Sequence, residues 1–222
     1  MTLCRAASAE AIGTAMLLAI VVGSGIMGER LAEGNAAVAL LANSIATGAG
    51  LYSLIVMFGP VSGAHFNPAV SAVSAWNGRL SWRDSVVYMT AQLFGAFAGV
   101  ATAHAMFGLP IIQISAHVRP TVGEGLGEAI ATFGLVLIIS LGLKFRAEAT
   151  PMAVAMFITS AYWFTSSTSF ANPAVTLARA TTDTFAGISP QSVPLFVVGQ
   201  IIGSTGGAVL AVWLLGEKPT QS

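Results

Sequence analysis

Long apolar stretches alternate with short charged segments along this chain of 222 residues. A stretch of about 20 apolar residues suffices for a helix that crosses a hydrocarbon core of roughly 30 Å. The pattern predicts six such spans: 11–28, a second that ends near 58–60, a third that begins after 85 and ends near 107, 124–143, 149–165 and 192–215. The sequence therefore predicts an all-α membrane protein with six transmembrane helices.

Two further short helices are predicted where the tetrapeptide Asn-Pro-Ala-Val occurs, at Asn67 and again at Asn172. Asn is a preferred cap for a helix N-terminus, and Pro is preferred at the first helical position. The residues of the two motifs are Asn67, Pro68 and Ala69, and Asn172, Pro173 and Ala174. A helix from Asn67 to about Asn77 would be roughly 16 Å long, so it would reach only about halfway across the membrane.

The elements recur in the same order in both halves of the chain, as span, span, half-helix and span. Other residues recur in step: Glu10 and Thr14 match Glu128 and Thr132, and Gln92 matches Gln200. Each half crosses the membrane three times, so the second half begins on the opposite face, which predicts an inverted repeat. We therefore predict one transmembrane channel domain over 1–222, with halves of about 1–115 and 116–222, whose half-helices meet near the midplane.

The composition is typical of a membrane protein, since 55% of the residues are hydrophobic, 8% are charged and the mean hydropathy is +0.80. Soluble domains usually contain about 25% charged residues. The net charge of zero and the absence of a basic run argue against a nucleic-acid partner. We interpret the first apolar stretch as a retained span rather than a signal peptide, because Glu10 lies at its start and no small-residue cleavage site follows it.

The distribution of Lys and Arg predicts the orientation in the membrane. One predicted face carries Arg5, Arg79, Arg83, Lys144, Arg146 and Lys218, and the other carries Arg30, Arg119 and Arg179. Cytoplasmic loops carry the excess of these residues. Both termini are therefore predicted to be cytoplasmic.

The two Asn residues of the repeated motif are the main candidates for contact with a solute. Each side chain can cap its own half-helix and still offer an amide N–H to the point where the half-helices meet. The positive ends of both helix dipoles would face the same point, which favours a neutral polar solute and repels a cation. The alternative is that Asn67 and Asn172 are ordinary helix caps, but the facing pair favours the functional interpretation.

Two carboxylates, Glu10 and Glu128, fall at matching places in or near the predicted membrane region. They could relay protons, or they could accept hydrogen bonds from irregular backbone before each half-helix. Their symmetric placement favours structural support. His65 precedes the first motif and could line the cytoplasmic vestibule or fix the loop. The sequence shows no metal site, phosphate loop or catalytic pairing, so it predicts neither an enzyme nor a cofactor.

The segment from Ser62 to Val70, Ser-Gly-Ala-His-Phe-Asn-Pro-Ala-Val, resembles the first signature of the aquaporin (major intrinsic protein) family. The six spans, the half-helices and the Glu-x-x-x-Thr pairs are similar as well, so the resemblance covers essentially the whole chain. It implies a passive channel with one pore per subunit, assembled as a homotetramer in the lipid bilayer with cytoplasmic termini. The expected location is a bacterial inner (plasma) membrane.

The second signature departs from the family pattern. Most members have an arginine directly after Asn-Pro-Ala, at the outer constriction that sorts solutes, and this chain has Val175 there. The resemblance places the other constriction residues at Thr47, Ser160 and Ser169, and Thr176 replaces an Asp found in glycerol facilitators. These small side chains imply a wide, uncharged opening. The sequence is most similar in this respect to bacterial aquaporins linked to arsenic resistance, which share the replacement of the arginine.

These features predict a channel for small uncharged solutes wider than water, namely arsenite-like metalloid hydroxides, organoarsenicals or glycerol-like polyols, with some water permeability. A water-selective aquaporin is the near alternative. A proton-coupled secondary transporter belongs to a different class, and it would saturate and respond to a proton gradient. The paired Asn motifs argue against a purely structural membrane protein.

Overall fold

The computed structural model describes residues 1–216, which form eight α-helices and, over that range, no strand. The helices are α1 Leu3–Leu31, α2 Ala36–Ser62, α3 Pro68–Trp76, α4 Trp82–Met106, α5 Val122–Phe145, α6 Thr150–Phe164, α7 Pro173–Arg179 and α8 Val193–Leu215. The all-α prediction is confirmed, and the predicted order of spans and half-helices occurs twice. Lys218, which entered the orientation count, lies outside the described residues.

Five helices, α1, α2, α4, α5 and α8, are long and apolar enough to cross a membrane. The remaining span, α6, has 15 residues, so it is roughly 22 Å long at about 1.5 Å per residue. It coincides with the predicted span 149–165, and residues 165–172 connect it to α7. The fifth of the six predicted spans is therefore the shortest.

The two short helices begin where the Asn-Pro pairs predict. The Asn67 side chain accepts a hydrogen bond from the Ala69 amide at 2.9 Å. The Asn172 side chain accepts bonds from the amides of Ala174 and Val175 at 3.0 and 3.2 Å. A proline follows each asparagine at the start of the helix, where it displaces no helical hydrogen bond. The local sequence alone thus sets both starting points.

Glycines let the long helices of each half approach closely. α1 packs on α4 in the first half, and α5 packs on α8 in the second. A Cβ atom at Gly95 of α4 would collide with the Ala11 carbonyl of α1, and a Cβ atom at Gly203 of α8 would collide with the Ala129 carbonyl of α5. Small residues at such crossings let helix backbones come close in a membrane. The same contact therefore stabilises both halves of the repeat.

Each half-helix follows a loop with a strained backbone. Ala64 and Phe66 before α3 both have φ of 50°, and Ser169 and Ala171 before α7 have φ of 52° and 49°. A non-glycine residue in this left-handed region costs about 1–2 kcal/mol. The strained residues occupy matching positions in the two halves. Both loops therefore need bonds from the rest of the protein to keep their shape.

The outside of the helix bundle is apolar. Phe94 on α4 is 73% exposed and Trp213 on α8 is 74% exposed, and many other large apolar side chains are exposed along the helices. Contiguous apolar surface of this kind is rare on soluble monomers but suits a hydrocarbon environment. Together with the five spanning helices, it identifies a multi-pass membrane protein.

Candidate functional site

The N-termini of α3 and α7 meet, and the two asparagine side chains join them crosswise. Asn67 Nδ2 donates to the Ala171 carbonyl oxygen at 2.7 Å, and Asn172 Nδ2 donates to the Phe66 carbonyl oxygen at 2.7 Å. Each accepting carbonyl belongs to the residue directly before the other asparagine. The two half-helices are therefore bonded to each other through their caps.

Each asparagine retains one side-chain amide N–H for which the described residues provide no acceptor. The side-chain amide carries two N–H groups, and the structure shows a bond for one of them within residues 1–216. The side-chain oxygens are occupied by amides of the half-helices. Asn67 and Asn172 are 4% and 5% exposed, and both line the central cavity. The group that each side chain can offer to a solute is therefore a hydrogen-bond donor.

Glu10 of α1 is bonded to the loop before α3. Its Oε1 accepts from the Ser62 hydroxyl at 2.6 Å and from the His65 amide at 2.9 Å. Its Oε2 accepts from the Phe66 amide at 2.6 Å and from the Gln92 side chain at 2.7 Å. The residue is fully buried. Both carboxylate oxygens are thus occupied by donors of the protein.

Glu128 of α5 makes the matching contacts with the loop before α7. Its Oε1 accepts from the Phe170 amide and its Oε2 from the Ala171 amide, both at 2.8 Å. The Gln200 side chain donates to Oε2 at 2.6 Å. The same loop positions are therefore bonded in both halves, which is the arrangement that a structural support role requires.

Gln92 and Gln200 link each carboxylate to its half-helix. Gln92 Nε2 also donates to Ser71 Oγ at 2.9 Å, and Gln200 Nε2 also donates to Thr176 Oγ1 at 2.7 Å. Thr176 therefore occupies in α7 the place that Ser71 occupies in α3.

His65 contacts both the loop region and the cavity. Its Nδ1 lies 3.0 Å from Ser71 Oγ, and its ring packs edge-on against Tyr88 with the ring centroids 5.4 Å apart. The residue also lines the cavity. The two predicted roles, lining a vestibule and fixing the loop, are therefore compatible.

A cavity of about 790 Å³ is lined in part by Asn67 and Asn172. Toward the predicted cytoplasmic face it is lined by Gly59, Arg79 and Glu148 among others. Toward the opposite face it is lined by Thr47, Tyr162, Ser169, Val175 and Arg179 among others. The cavity thus extends from one face of the bundle to the region beyond the meeting point of the half-helices.

Three of the four predicted constriction residues line this cavity. Thr47 comes from α2, Ser169 from the loop before α7 and Val175 from α7 itself. They are 3%, 3% and 5% exposed. The structure therefore brings these three side chains to one end of the cavity, while their role in selecting solutes stays a prediction.

The position of the fourth residue, Ser160, differs from the prediction. Ser160 is exposed and absent from the cavity lining, and its hydroxyl donates to the Phe157 carbonyl at 2.7 Å. Tyr162 lines the cavity from the same helix and donates to Thr47 Oγ1 at 3.2 Å. Two residues along a helix correspond to a rotation of about 200°. The residue that faces the cavity is therefore two positions nearer to α7 than expected. Ser160 lies on the outer face of α6, and Tyr162 lies on the inner face.

A charged side chain lines the outer end of the cavity, where an uncharged opening was expected. Arg179 follows Val175 by one helical turn on α7, so the two residues lie on one face. Arg179 lines the cavity, its Nε donates to the Ala186 carbonyl, and its guanidinium carbon lies 3.4 Å from the centroid of the Phe170 ring. The residue directly after Asn-Pro-Ala gives no indication of this arginine. A count of one helical turn from Val175, however, predicts that Arg179 lies on the same face.

Arg119, in the segment between α4 and α5, contacts the same aromatic ring. Its guanidinium carbon lies 5.2 Å from the Phe170 ring centroid, and its Nη1 donates to the Ser167 carbonyl at 3.1 Å. Burial lowers the pKa of Arg119, and the charges of Glu124 and Glu128 oppose that shift. Two guanidinium groups therefore lie around one phenylalanine at this end of the molecule.

Known proteins resemble this chain in sequence and in fold. Residues 1–146 match the family model described as Major intrinsic protein. The chain is 53% identical over 213 residues to Aquaglyceroporin AqpS of Rhizobium meliloti (strain 1021), with 96% of this chain and 91% of the relative covered. It is 31% identical over 245 residues to Probable aquaporin AqpM of Archaeoglobus fulgidus, with 96% of each covered. The X-ray structure of the aquaglyceroporin from Plasmodium falciparum has the same fold, with a TM-score of 0.74, 20% identity and coverage of 96% of this chain and 95% of that one.

Proposed function

Because this chain belongs to the major intrinsic protein family, we propose that it is a passive channel for small uncharged solutes wider than water. The leading solutes are arsenite-like metalloid hydroxides, organoarsenicals and glycerol-like polyols, and we expect some water to pass. The family consists of membrane channels for small solutes and not of enzymes. A relative that is 53% identical bears the name aquaglyceroporin, which supports a solute of glycerol size.

The observation that carries the proposal is the small size of three of the side chains at the outer end of the cavity. Thr47, Ser169 and Val175 line it, and each of these side chains ends at its γ atoms. The larger Tyr162 has its hydroxyl committed to Thr47. An opening bounded in this way suits a solute that is wider than water.

The centre of the cavity favours an uncharged, oxygen-rich solute. The amides of Asn67 and Asn172 each have one N–H that can donate to a solute oxygen, and their oxygens are already occupied. A hydroxylated solute can accept these bonds. A cation cannot accept them and would have to lose its water without a replacement, which is costly. Polyols and metalloid hydroxides therefore fit this site better than ions do.

Stopped-flow light scattering on proteoliposomes tests the proposal. Gradients of water, glycerol and arsenite are imposed in turn on vesicles from one preparation, with protein-free liposomes as the control. We expect glycerol and arsenite to enter faster in the protein-containing vesicles, because the outer opening admits them. If only water permeability rises above the control, the protein is a water-selective channel and the proposal is wrong.

The same vesicles separate a channel from a proton-coupled transporter. Flux through a passive channel rises in proportion to the solute gradient and does not follow an imposed proton gradient. The carboxylates that could relay protons, Glu10 and Glu128, have both oxygens occupied by donors of the loops and glutamines. This argues against a relay. Uptake that saturates and follows the proton gradient would favour the transporter.

The proposal includes a location in a bacterial inner membrane with both termini cytoplasmic, as a homotetramer with one pore per subunit in contact with lipid. The ends of α4 and α5 support this orientation, because Arg83 lies in the first turn of α4 and Lys144 and Arg146 lie at the end of α5. Reporter fusions made after Arg83 and after Arg146 should both report a cytoplasmic position. An external position for either would contradict the orientation of the repeat.

A further inference from the structure

Arg179 is a buried cation that forms no direct ion pair with a carboxylate of the described residues, although the charge of Glu128 acts on it from a longer distance. The residue is 3% exposed, and within residues 1–216 no Asp or Glu forms an ion pair with it. Its guanidinium makes one hydrogen bond in this part of the chain, from Nε to the Ala186 carbonyl. Buried charges in proteins are normally paired. Because Arg179 lines the cavity, its remaining N–H groups can donate to water or to a solute there.

The guanidinium group is held in a fixed orientation. One face lies over the Phe170 ring, with the guanidinium carbon 3.4 Å from the ring centroid. The Phe170 amide is in turn bonded to Glu128 at 2.8 Å, and the Ala186 carbonyl binds Nε. A stacked and bonded guanidinium loses little further freedom when it donates to a solute. The terminal N–H groups are thus prepared to bind an oxygen acceptor.

Val175 and Arg179 each supply one property of the outer end of the pore. Val175 leaves space for a solute, and Arg179 supplies positive charge and hydrogen-bond donors. Val175 is nearer the meeting point of the half-helices, where a small side chain leaves room for a solute. Arg179 lies one turn further toward the outer end and brings a positive charge with unbonded donors. A solute that leaves the asparagine donors would therefore meet a second set of donors on the same helix.

We propose that Arg179 determines specificity at the outer end of the pore, where it donates hydrogen bonds to the oxygen atoms of uncharged hydroxylated solutes and repels protons and other cations. The inference rests on the proposed channel function and deepens it. Arg119, on the same phenylalanine ring, adds to the positive potential of this region. The pore is then both wide at Val175 and closed to cations at Arg179.

The test compares Arg179→Met with Arg30→Met in proteoliposomes. Arg30 is also on the predicted outer face, where it stacks on Phe107, but it does not line the cavity. A potassium diffusion potential drives protons inward, and an entrapped dye reports the pH. We expect Arg179→Met to raise proton influx by about tenfold, because a fixed charge in a narrow site creates a potential of several kT. Arg30→Met should match the wild type, and Arg179→Lys should still exclude protons.

Cysteine substitution adds a measurement that does not depend on the methionine variant folding. Cys4 is the single cysteine of the chain and is exposed, so Arg179→Cys is made with Cys4→Ser. We expect a thiol reagent that adds an ammonium group to lower proton influx through this variant, and a neutral methylating reagent of the same chemistry to leave it high. The Cys4→Ser protein alone should respond to neither reagent.

The inference is wrong if Arg179→Met or the unmodified Arg179→Cys protein, purified as a folded membrane protein, excludes protons as well as the wild type does. It is also wrong if the ammonium and neutral reagents have equal effects. These outcomes differ from failure of the proposed function, which is judged by glycerol and arsenite flux through the wild type. A wild type that passes only water could still lose its proton exclusion when Arg179 is replaced.

Discussion

Replacement of Val175 by arginine is expected to reduce permeability to glycerol-sized and metalloid solutes far more than permeability to water. Val175 and Arg179 lie one turn apart on α7, and both line the outer end of the cavity. A second guanidinium there would narrow an opening otherwise bounded by the small Thr47 and Ser169 side chains. We expect glycerol flux to fall by about tenfold or more, since even one methylene in a fitted pocket changes discrimination by about 10–200-fold.

The measurement is the ratio of glycerol to water permeability in vesicles that hold equal amounts of protein. Val175→Leu is the matched control, because it adds volume without charge or donors. A smaller fall in the ratio for Val175→Leu would separate the effect of width from that of charge. An unchanged ratio for Val175→Arg would mean that Val175 does not lie at the constriction, and the proposed solute class would lose its main support.

Replacement of Glu128 by leucine is expected to sharply lower the yield of folded protein. The amides of Phe170 and Ala171 would lose their acceptor, and a buried unpaired donor costs about 1–3 kcal/mol. The loop is already strained, because Ser169 and Ala171 have positive φ. Fluorescence-detected size-exclusion chromatography of the solubilised protein would measure the folded fraction. Glu10→Leu should have a similar effect through the amides of His65 and Phe66.

Variants with glutamine in place of Glu10 or Glu128 distinguish a structural support role from a proton relay. A glutamine keeps one acceptor oxygen, but it places an NH₂ group where the second carboxylate oxygen accepts a backbone amide. Glu128→Gln should therefore give a folded yield between those of the wild type and Glu128→Leu, with solute flux per folded molecule close to the wild type. A Glu128→Gln protein that folds normally but loses a pH-dependent uptake would instead support the relay.

Most of the helical framework could be predicted because membrane helices leave a strong pattern in the sequence. The spans require long apolar runs, and the half-helices begin at Asn-Pro pairs whose capping chemistry is local. The matching positions of Glu10 and Glu128 indicated a shared role before any contact was visible. All of these features depend on neighbouring residues or on the repeat itself.

The errors arose where a residue's direction depends on the connection between elements. The family resemblance places Ser160 by a count back from the Asn172 motif across the segment between α6 and α7, and two residues of offset turn a helix by about 200°. Tyr162 faces the cavity instead. The charge pattern uses Arg179 only to predict the orientation, although its position one turn after Val175 brings it to the cavity. The spacing of residues in the sequence therefore predicts where the helices lie better than it predicts which side chains face the cavity.

The crosswise asparagine bonds have a consequence for how the protein is made. Glu10 finds all its partners within the first half of the chain, so the loop before α3 can take its shape as soon as α4 has been synthesised. The Phe66 carbonyl, however, is bound by Asn172, which lies 106 residues later. At about 5–20 residues per second, a ribosome needs roughly 5–20 s to cover that distance. A first half-helix that enters the membrane before Asn172 is made has no partner for the Phe66 carbonyl, which then needs another donor such as water at the membrane midplane.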